Sequence, residues 1–209
     1  MNGVAGVIHD FTERLEWSAE LSDESAWVAF YKRLWPDLLL CVRIDRDSKW
    51  QRWGVDRMIL LPEGKQILID EKKRSMAYDD FLLEEWSSVE HKRVGWTLDK
   101  SKRSDFIAYA IPKLGKCYLL PFELLRITCA HKLAEWKLES NCYPKDAKNN
   151  GYTTRNCAVG WRALFDAMKQ QMHRSFGGGS LVLPVSQAAF NGKQLVFDWT
   201  QEQKGGDWK

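Results

Sequence analysis

GVDRMILLPEGKQILIDEKKR, Gly54 to Arg74, is the stretch that decides how this chain reads. Two apolar runs flank Pro62, Glu63 and Gly64, the pattern of a β-hairpin whose strands are interrupted by turn residues. Each run carries an acid where packing alone favours an apolar residue: Asp56 in the first, Asp70 in the second. Strand side chains alternate faces, so Asp70 and Lys72 point one way while Ile69 and Glu71 point the other. Whether Asp56 joins Asp70 depends on the turn. An even loop centred on Glu63-Gly64 places Asp56 opposite Glu71, on the wrong face. A three-residue loop, with Gly64 free to take a positive φ, sets Asp56 opposite Asp70 or Lys72. In that case two carboxylates and an amine converge. Carboxylates so close repel and raise one pKa unless a divalent cation occupies the gap, and hard Mg²⁺ or Mn²⁺ suits oxygen ligands.

Composition narrows the class. The 209 residues are 44% hydrophobic and 28% charged, which suits one globular domain with a sizeable core plus a small subdomain or arm. A net charge of +3 means that attraction to a polyanion must come from clustered Lys and Arg. The five cysteines are scattered, no N-terminal stretch reads as a cleavable signal, and no apolar run approaches the roughly 20 residues that span a bilayer. A soluble chain in a reducing cytosol is the expectation, with no membrane partner. Eleven tryptophans are many for this length, and the structural role of anchoring a core or its rim outweighs stacking on bases, as in Trp50-Gln51-Arg52-Trp53.

The rest of the chain supplies elements around the hairpin. Ser22 can cap a helix from about Asp23 to Trp35, with Trp27, Phe30, Tyr31 and Leu34 on one face and Pro36 closing it. An apolar strand at Leu38–Ile44 precedes the hairpin. Phe81–Val89 is ambiguous in period, and its aromatic and β-branched ends favour a strand. Asp105–Ile111 and Lys116–Leu120 read as a second hairpin turned by Pro112 to Gly115. A helix starts near Pro121 and continues through Trp136; Asn141 to Gly151 reads as polar and turn-rich; a final amphipathic helix runs from about Val159 to His173. FGGGS at Phe176–Ser180 reads as a hinge into a C-terminal arm, 176–209, whose LVLPV and QLVF runs could form edge strands. The expected architecture is α/β, a mixed central sheet flanked by helices, with residues 1–175 as one domain and its core at about 22–139.

Asp56, then Asp70-Glu71-Lys72 at the end of an apolar strand, resembles the PD-(D/E)xK nuclease superfamily, with Val55 standing where the motif's name has proline. The resemblance covers about Leu38 to Leu120. It implies a restriction-endonuclease-like core and a metal-dependent hydrolysis of DNA that leaves a 3′-hydroxyl and a 5′-phosphate. By it, Asp56 and Asp70 hold Mg²⁺ or Mn²⁺, the Glu71 carbonyl adds a ligand, and Lys72 contacts the attacking water or the scissile phosphate. Glu24 is the candidate acid from the first helix; the Glu71 side chain reads as a flanking or core-edge acid. The order GVDR, ILIDEK, LLEEWSS, GW, SDFIAYAI, YLLPFELLR and GYTTRN is similar to a group of uncharacterised phage and bacterial proteins with this nuclease-like fold. That likeness supplies no activity, but it suggests Glu85, Tyr152 and Thr153 as residues lining the site, in the cytoplasm of a bacterium or a phage-infected cell.

Phosphate contacts are expected from Arg57, Lys73 and Arg74 beside the motif, and from two basic clusters between strands, Lys92-Arg93 and Lys102-Arg103. The bland reading, that DEKKR is a solvated strand exit and the clusters a charged rim, stands beside this. Cys129, His131, Cys142 and Cys157 lack the paired spacing of a zinc site, and no nucleophile triad or phosphate-cradling loop is present. The rival function is a binding protein that keeps the nuclease scaffold without turnover, for example a phage or host antagonist. A homodimer and a protein partner are left open by the sequence.

Overall fold

The computed structural model describes residues 24–44, 48–139 and 142–176. The turn on which the hairpin's register depends is odd. Leu61 N–H donates to Lys65 O at 2.8 Å, leaving Pro62, Glu63 and Gly64 as the three-residue connection. Glu63 and Gly64 both take positive φ, 64° and 74°. Glycine does so without steric cost, and the glutamate is held there by the closing pair. Strands β2 (Arg57–Leu60) and β3 (Gln66–Lys73) therefore pair with Arg57 opposite Ile69 and Leu60 opposite Gln66. One step further back, beyond the paired residues, Asp56 N–H donates to Ile69 O at 2.9 Å and the Asp56 side chain meets that of Asp70.

The described residues fall into two compact units. One contains residues 24–44, 48–79, 101–125 and 168–176. Its five-stranded sheet has the order β1-β2-β3-β6-β7, adding β1 (Leu40–Arg43), β6 (Phe106–Ile111) and β7 (Lys116–Pro121) to the hairpin. All neighbours are antiparallel except β3 and β6, which run parallel with Asp70 beside Ile107 and Lys72 beside Tyr109. Helix α1 (Glu24–Leu34) buries Trp27, Phe30, Tyr31 and Leu34, spaced to form one face. That face joins Ile59, Ile67, Ile69, Ala108, Ala110 and Cys117 in a single core. These strand residues, with Glu71, share one side of the sheet; Asp70 and Lys72 take the other. The one-turn helix α2 (Lys49–Arg52) lies between β1 and β2, capped by the Ser48 hydroxyl, which accepts from Gln51 N–H at 3.2 Å.

Arg57 is 0% exposed on the helix-covered side. Its guanidinium grips Glu24 through two bonds, 2.6 and 2.9 Å, and Glu71 through Nε at 2.5 Å. The Tyr31 hydroxyl donates to the same Glu71 oxygen at 2.9 Å, and the Tyr31 ring lies 5.6 Å from the guanidinium. Burial opposes the charge on Arg57, but the bonds to Glu24 and Glu71 outweigh it and keep the guanidinium firmly ionised.

The other unit contains residues 80–100, 126–139 and 142–167. Its sheet is antiparallel, in the order β5-β4-β9-β8: β4 (Asp80–Ser88), β5 (Arg93–Val94), β8 (Cys142–Asn149) and β9 (Tyr152–Gly160). Helices α3 (Phe122–Leu138) and α4 (Trp161–Phe176), each shared between the two units in sequence, complete the four α-helices among the described residues, and the chain is mixed α/β. Phe81 packs edge-on against Trp96 and Trp161. β8 and β9 bring the buried sulfurs of Cys142 and Cys157 into contact, with Cα atoms 5.3 Å apart, a separation that a disulfide accepts.

Two expectations change. The described strands form two sheets, not one central sheet, because β4 pairs with β9 and not with β3. The polar Asn141–Gly151 stretch is mostly strand: Asn149 pairs with Tyr152 across Asn150-Gly151, with Gly151 at φ 81°. Asn-Gly between strands is the strongest short hairpin signal, and it outweighs the polarity of the flanks. The Ser22 cap and the LVLPV and QLVF segments lie outside the described residues. No helix among the described residues is long and apolar enough to cross a membrane.

Removing the guanidinium strands a buried carboxylate, so Arg57→Met should lower stability by about 3–5 kcal/mol in urea unfolding. Glu24→Gln, whose side chain is 48% exposed, should cost less than about 1 kcal/mol.

Candidate metal centre

β2 ends at Arg57, so the β3 backbone beyond Ile69 has lost its neighbour on that side. Asp56 takes over. Its Oδ2 accepts from Glu71 N–H at 2.8 Å, and its Oδ1 accepts from the Gln51 amide at 3.0 Å. The N–H and C=O of one strand residue point to the same side. The Glu71 carbonyl therefore faces the Asp56 edge of β3.

Asp70 is 1% exposed. Its Oδ1 is contacted by the Lys72 ammonium, while its Oδ2 is buried and accepts no hydrogen bond from any described residue. Gly54, at φ 74°, closes over that oxygen: a Cβ there would stand 3.4 Å from Asp70 Oδ2 and 2.9 Å from Lys102 Cδ. The 52–54 segment is fastened from the other side. Lys102 Nζ donates to Arg52 O at 3.1 Å, Arg103 N–H to Trp53 O at 2.8 Å, and the Ser104 hydroxyl to Gly54 O.

The two carboxyl groups interact directly and split in acidity. Burial pushes Asp70 up to about 8; the Lys72 charge opposes that shift, and the Asp56 charge and the proton shared with Asp56 reinforce it. Asp56 moves the other way. Burial opposes its ionisation, but Lys72, the Asp70 proton, Glu71 N–H and Gln51 together hold it below the ordinary carboxylate range. Without a cation, one acid keeps a proton and its neighbour is ionised.

The donors fit a hard divalent ion in kind: two carboxylates, a carbonyl on the same edge, and a buried oxygen lacking any protein donor. Among the described residues no three His, Cys, Asp or Glu side chains gather into one ligand group, so the carbonyl and solvent would complete the set. Glu24 is not part of it, since Arg57 holds its carboxylate together with Glu71. The Glu71 side chain is turned to the core, as its flanking role requires.

The expected phosphate contacts divide. Arg57 is corrected outright, being buried and spent on Glu24 and Glu71. Arg74 is also buried, against the Tyr78 ring at 5.3 Å, and Lys73 lies 5.8 Å from the Trp27 ring on the helix side. Arg103 is exposed and held by its backbone N–H to Trp53 O, and Lys102 is half-buried against Gly54, the residue next to Asp70 Oδ2. Lys92 and Arg93 are exposed in the other unit. That unit also holds Glu85, paired with Lys137 at 2.6 Å, and Thr153, whose N–H donates to Glu90 at 2.7 Å and whose carbonyl accepts from Val89 N–H at 2.9 Å. Tyr152 opens β9 there. Gln51 and Gly54 were not singled out from sequence; a serine cap before Lys49 and the glycine preceding the Asp56 strand were the available signals. No protein-family model, curated protein or solved structure matches this chain.

Asp70 holds its proton to about pH 8 when folded but releases it near its ordinary 3.8 when unfolded. The stability it contributes is fully present below about pH 4 and is lost as pH rises through about 8. The metal-free chain should therefore melt at progressively lower temperature from pH 5 to 8. Asp70→Asn should flatten most of that slope, with Glu71, which burial also raises, leaving a remainder. Equal slopes for both proteins would show that Asp70 is not the titrating group.

Proposed function

We propose that this chain is a divalent-metal-dependent nuclease that hydrolyses phosphodiester bonds in DNA, with a restriction-endonuclease-like core built on the five-stranded sheet. One observation carries the reading: Asp70 Oδ2 is buried without a protein donor beside the Asp56 carboxyl group. A buried carboxyl so placed costs stability unless a cation or a proton compensates it. Purely structural acids are instead satisfied by protein donors, as Glu71 is by Arg57 and Tyr31 in the same strand.

Asp56, Asp70 and the Glu71 carbonyl would hold Mg²⁺ or Mn²⁺, which when bound supplies Lewis-acid polarisation of the phosphodiester. Gln51 and Glu71 N–H fix the Asp56 carboxylate in place, so the site needs little rearrangement to receive a ligand. Lys72, with 29% of its side chain exposed, spans Asp70 and solvent. It is placed to donate to a phosphoryl oxygen and steady the charge that builds as water attacks in line. Asp70 must give up its proton before it can bind a cation.

Asp70→Ala, purified identically, should lose Mg²⁺-dependent cleavage of a DNA panel while melting as a folded protein; cleavage that survives the substitution, or that EDTA leaves untouched, ends the reading. Lys72→Ala should still bind Mn²⁺ by calorimetry yet cut at least about 100-fold more slowly. Mn²⁺ affinity of the unsubstituted chain should climb from pH 6 to about 8 and then level off, releasing close to one proton per ion at the acid end.

A further inference from the structure

α2 does more than deliver Gln51 to Asp56. Trp50 and Trp53 are three positions apart and so lie on one side of its single turn. Their rings are 5.6 Å apart and cross at 83°. Gln51 projects about 100° around the axis from Trp50, toward the acid pair. Gly54, next along the chain from Trp53, abuts Asp70 Oδ2. The two rings are thus mounted on a segment whose other residues touch both acids.

Trp50 is 41% exposed, the only described tryptophan in that condition; Trp27, Trp35, Trp136 and Trp161 are buried in cores. Core anchoring explains those four and does not explain Trp50. The segment that carries it is basic. Lys49 Nζ lies 4.6 Å from the Trp53 ring centre, Arg52 is exposed on the same turn, and exposed Arg103 is tied by its backbone to Trp53 O. An exposed aromatic ring on a segment that carries exposed cations, beside a carboxylate pair, suits a nucleobase whose flanking phosphates meet those cations.

The geometry points to single-stranded DNA as the substrate, with one unstacked base lying on Trp50 while the adjoining phosphate reaches Asp56, Asp70 and Lys72. This rests on the nuclease reading and names its substrate class. A duplex keeps its bases stacked on each other and offers Trp50 no free face; a single strand or a frayed end does. Stacking also places the phosphate without reading sequence, since every base has a π-face.

The test uses the full chain carrying Asp70→Asn, so that nothing is cut. A dye-labelled single-stranded oligonucleotide and its blunt duplex are titrated by fluorescence anisotropy. The single strand should bind at least 10-fold tighter, Trp50→Ala should weaken it roughly 5- to 100-fold, and Trp50→Phe should recover most of the loss while proving the site folded. An oligonucleotide with an abasic position under Trp50 should bind the parent and Trp50→Ala proteins alike. Equal affinity for both DNA forms, or no effect of Trp50→Ala, overturns the proposal. Cleavage by the chain with Asp70 intact is scored separately. Trp50-dependent binding without cleavage supports stacking and removes the nuclease reading; duplex cut as fast as single strand, with Trp50→Ala unaffected, removes stacking and leaves that reading.

Discussion

A turn of three residues sets everything else. Because Leu61 closes on Lys65, β2 and β3 meet with Arg57 opposite Ile69. Strand alternation then does two things at once: Asp56 falls beside Asp70 on one side of the sheet, and Arg57 falls beside Glu71 on the other. A turn longer or shorter by one residue would exchange the faces, exposing the guanidinium and burying Asp56 under α1. The hairpin cannot have one arrangement without the other.

The two faces settle their charges differently. Under α1, one guanidinium, two carboxylates and a tyrosine hydroxyl satisfy one another, and the pair Arg57–Glu71 tolerates burial because its hydrogen bonds are made. On the opposite face Lys72 likewise stands against two acids, but Asp70 Oδ2 receives no protein donor, and a retained proton compensates the burial. Adjacent residues of a single strand, Asp70 and Glu71, show the contrast directly. The satisfied acid reads as structure and the unsatisfied one as readiness for a ligand.

Much of this was legible in the chain. The helix from about residue 23, both hairpins and the helix after Pro121 follow from apolar period and turn residues, and those signals are strong because burial enforces them. The convergence of Asp56 with Asp70 was legible only as a condition on loop length, since Gly64 permits a turn but does not choose its register. What sequence did not reveal depends on partners distant in the chain. Arg57 looked like a phosphate contact because nothing local announces Glu24, 33 residues away, as its mate. The assignment of β4 to a second sheet likewise hinged on β9, which arrives some 70 positions later. Asn150-Gly151 is a different kind of miss: a local signal was present, and the polarity of β8 masked it.

Neither unit is one uninterrupted length of polypeptide. The chain changes unit after Asp79, Lys100, Leu125 and Ala167. β3, with Asp70 on it, must therefore wait for β6, its parallel neighbour, until the whole β4–β5 excursion has left the ribosome. Parallel pairing across such an insertion is slow, because the loop-closure entropy falls due before the contacts that offset it exist. A nascent strand edge with a half-made acid pair must persist through that delay. No cut at one point of the gene can liberate either unit whole, so dissection of this protein has to proceed by side-chain replacement and not by truncation.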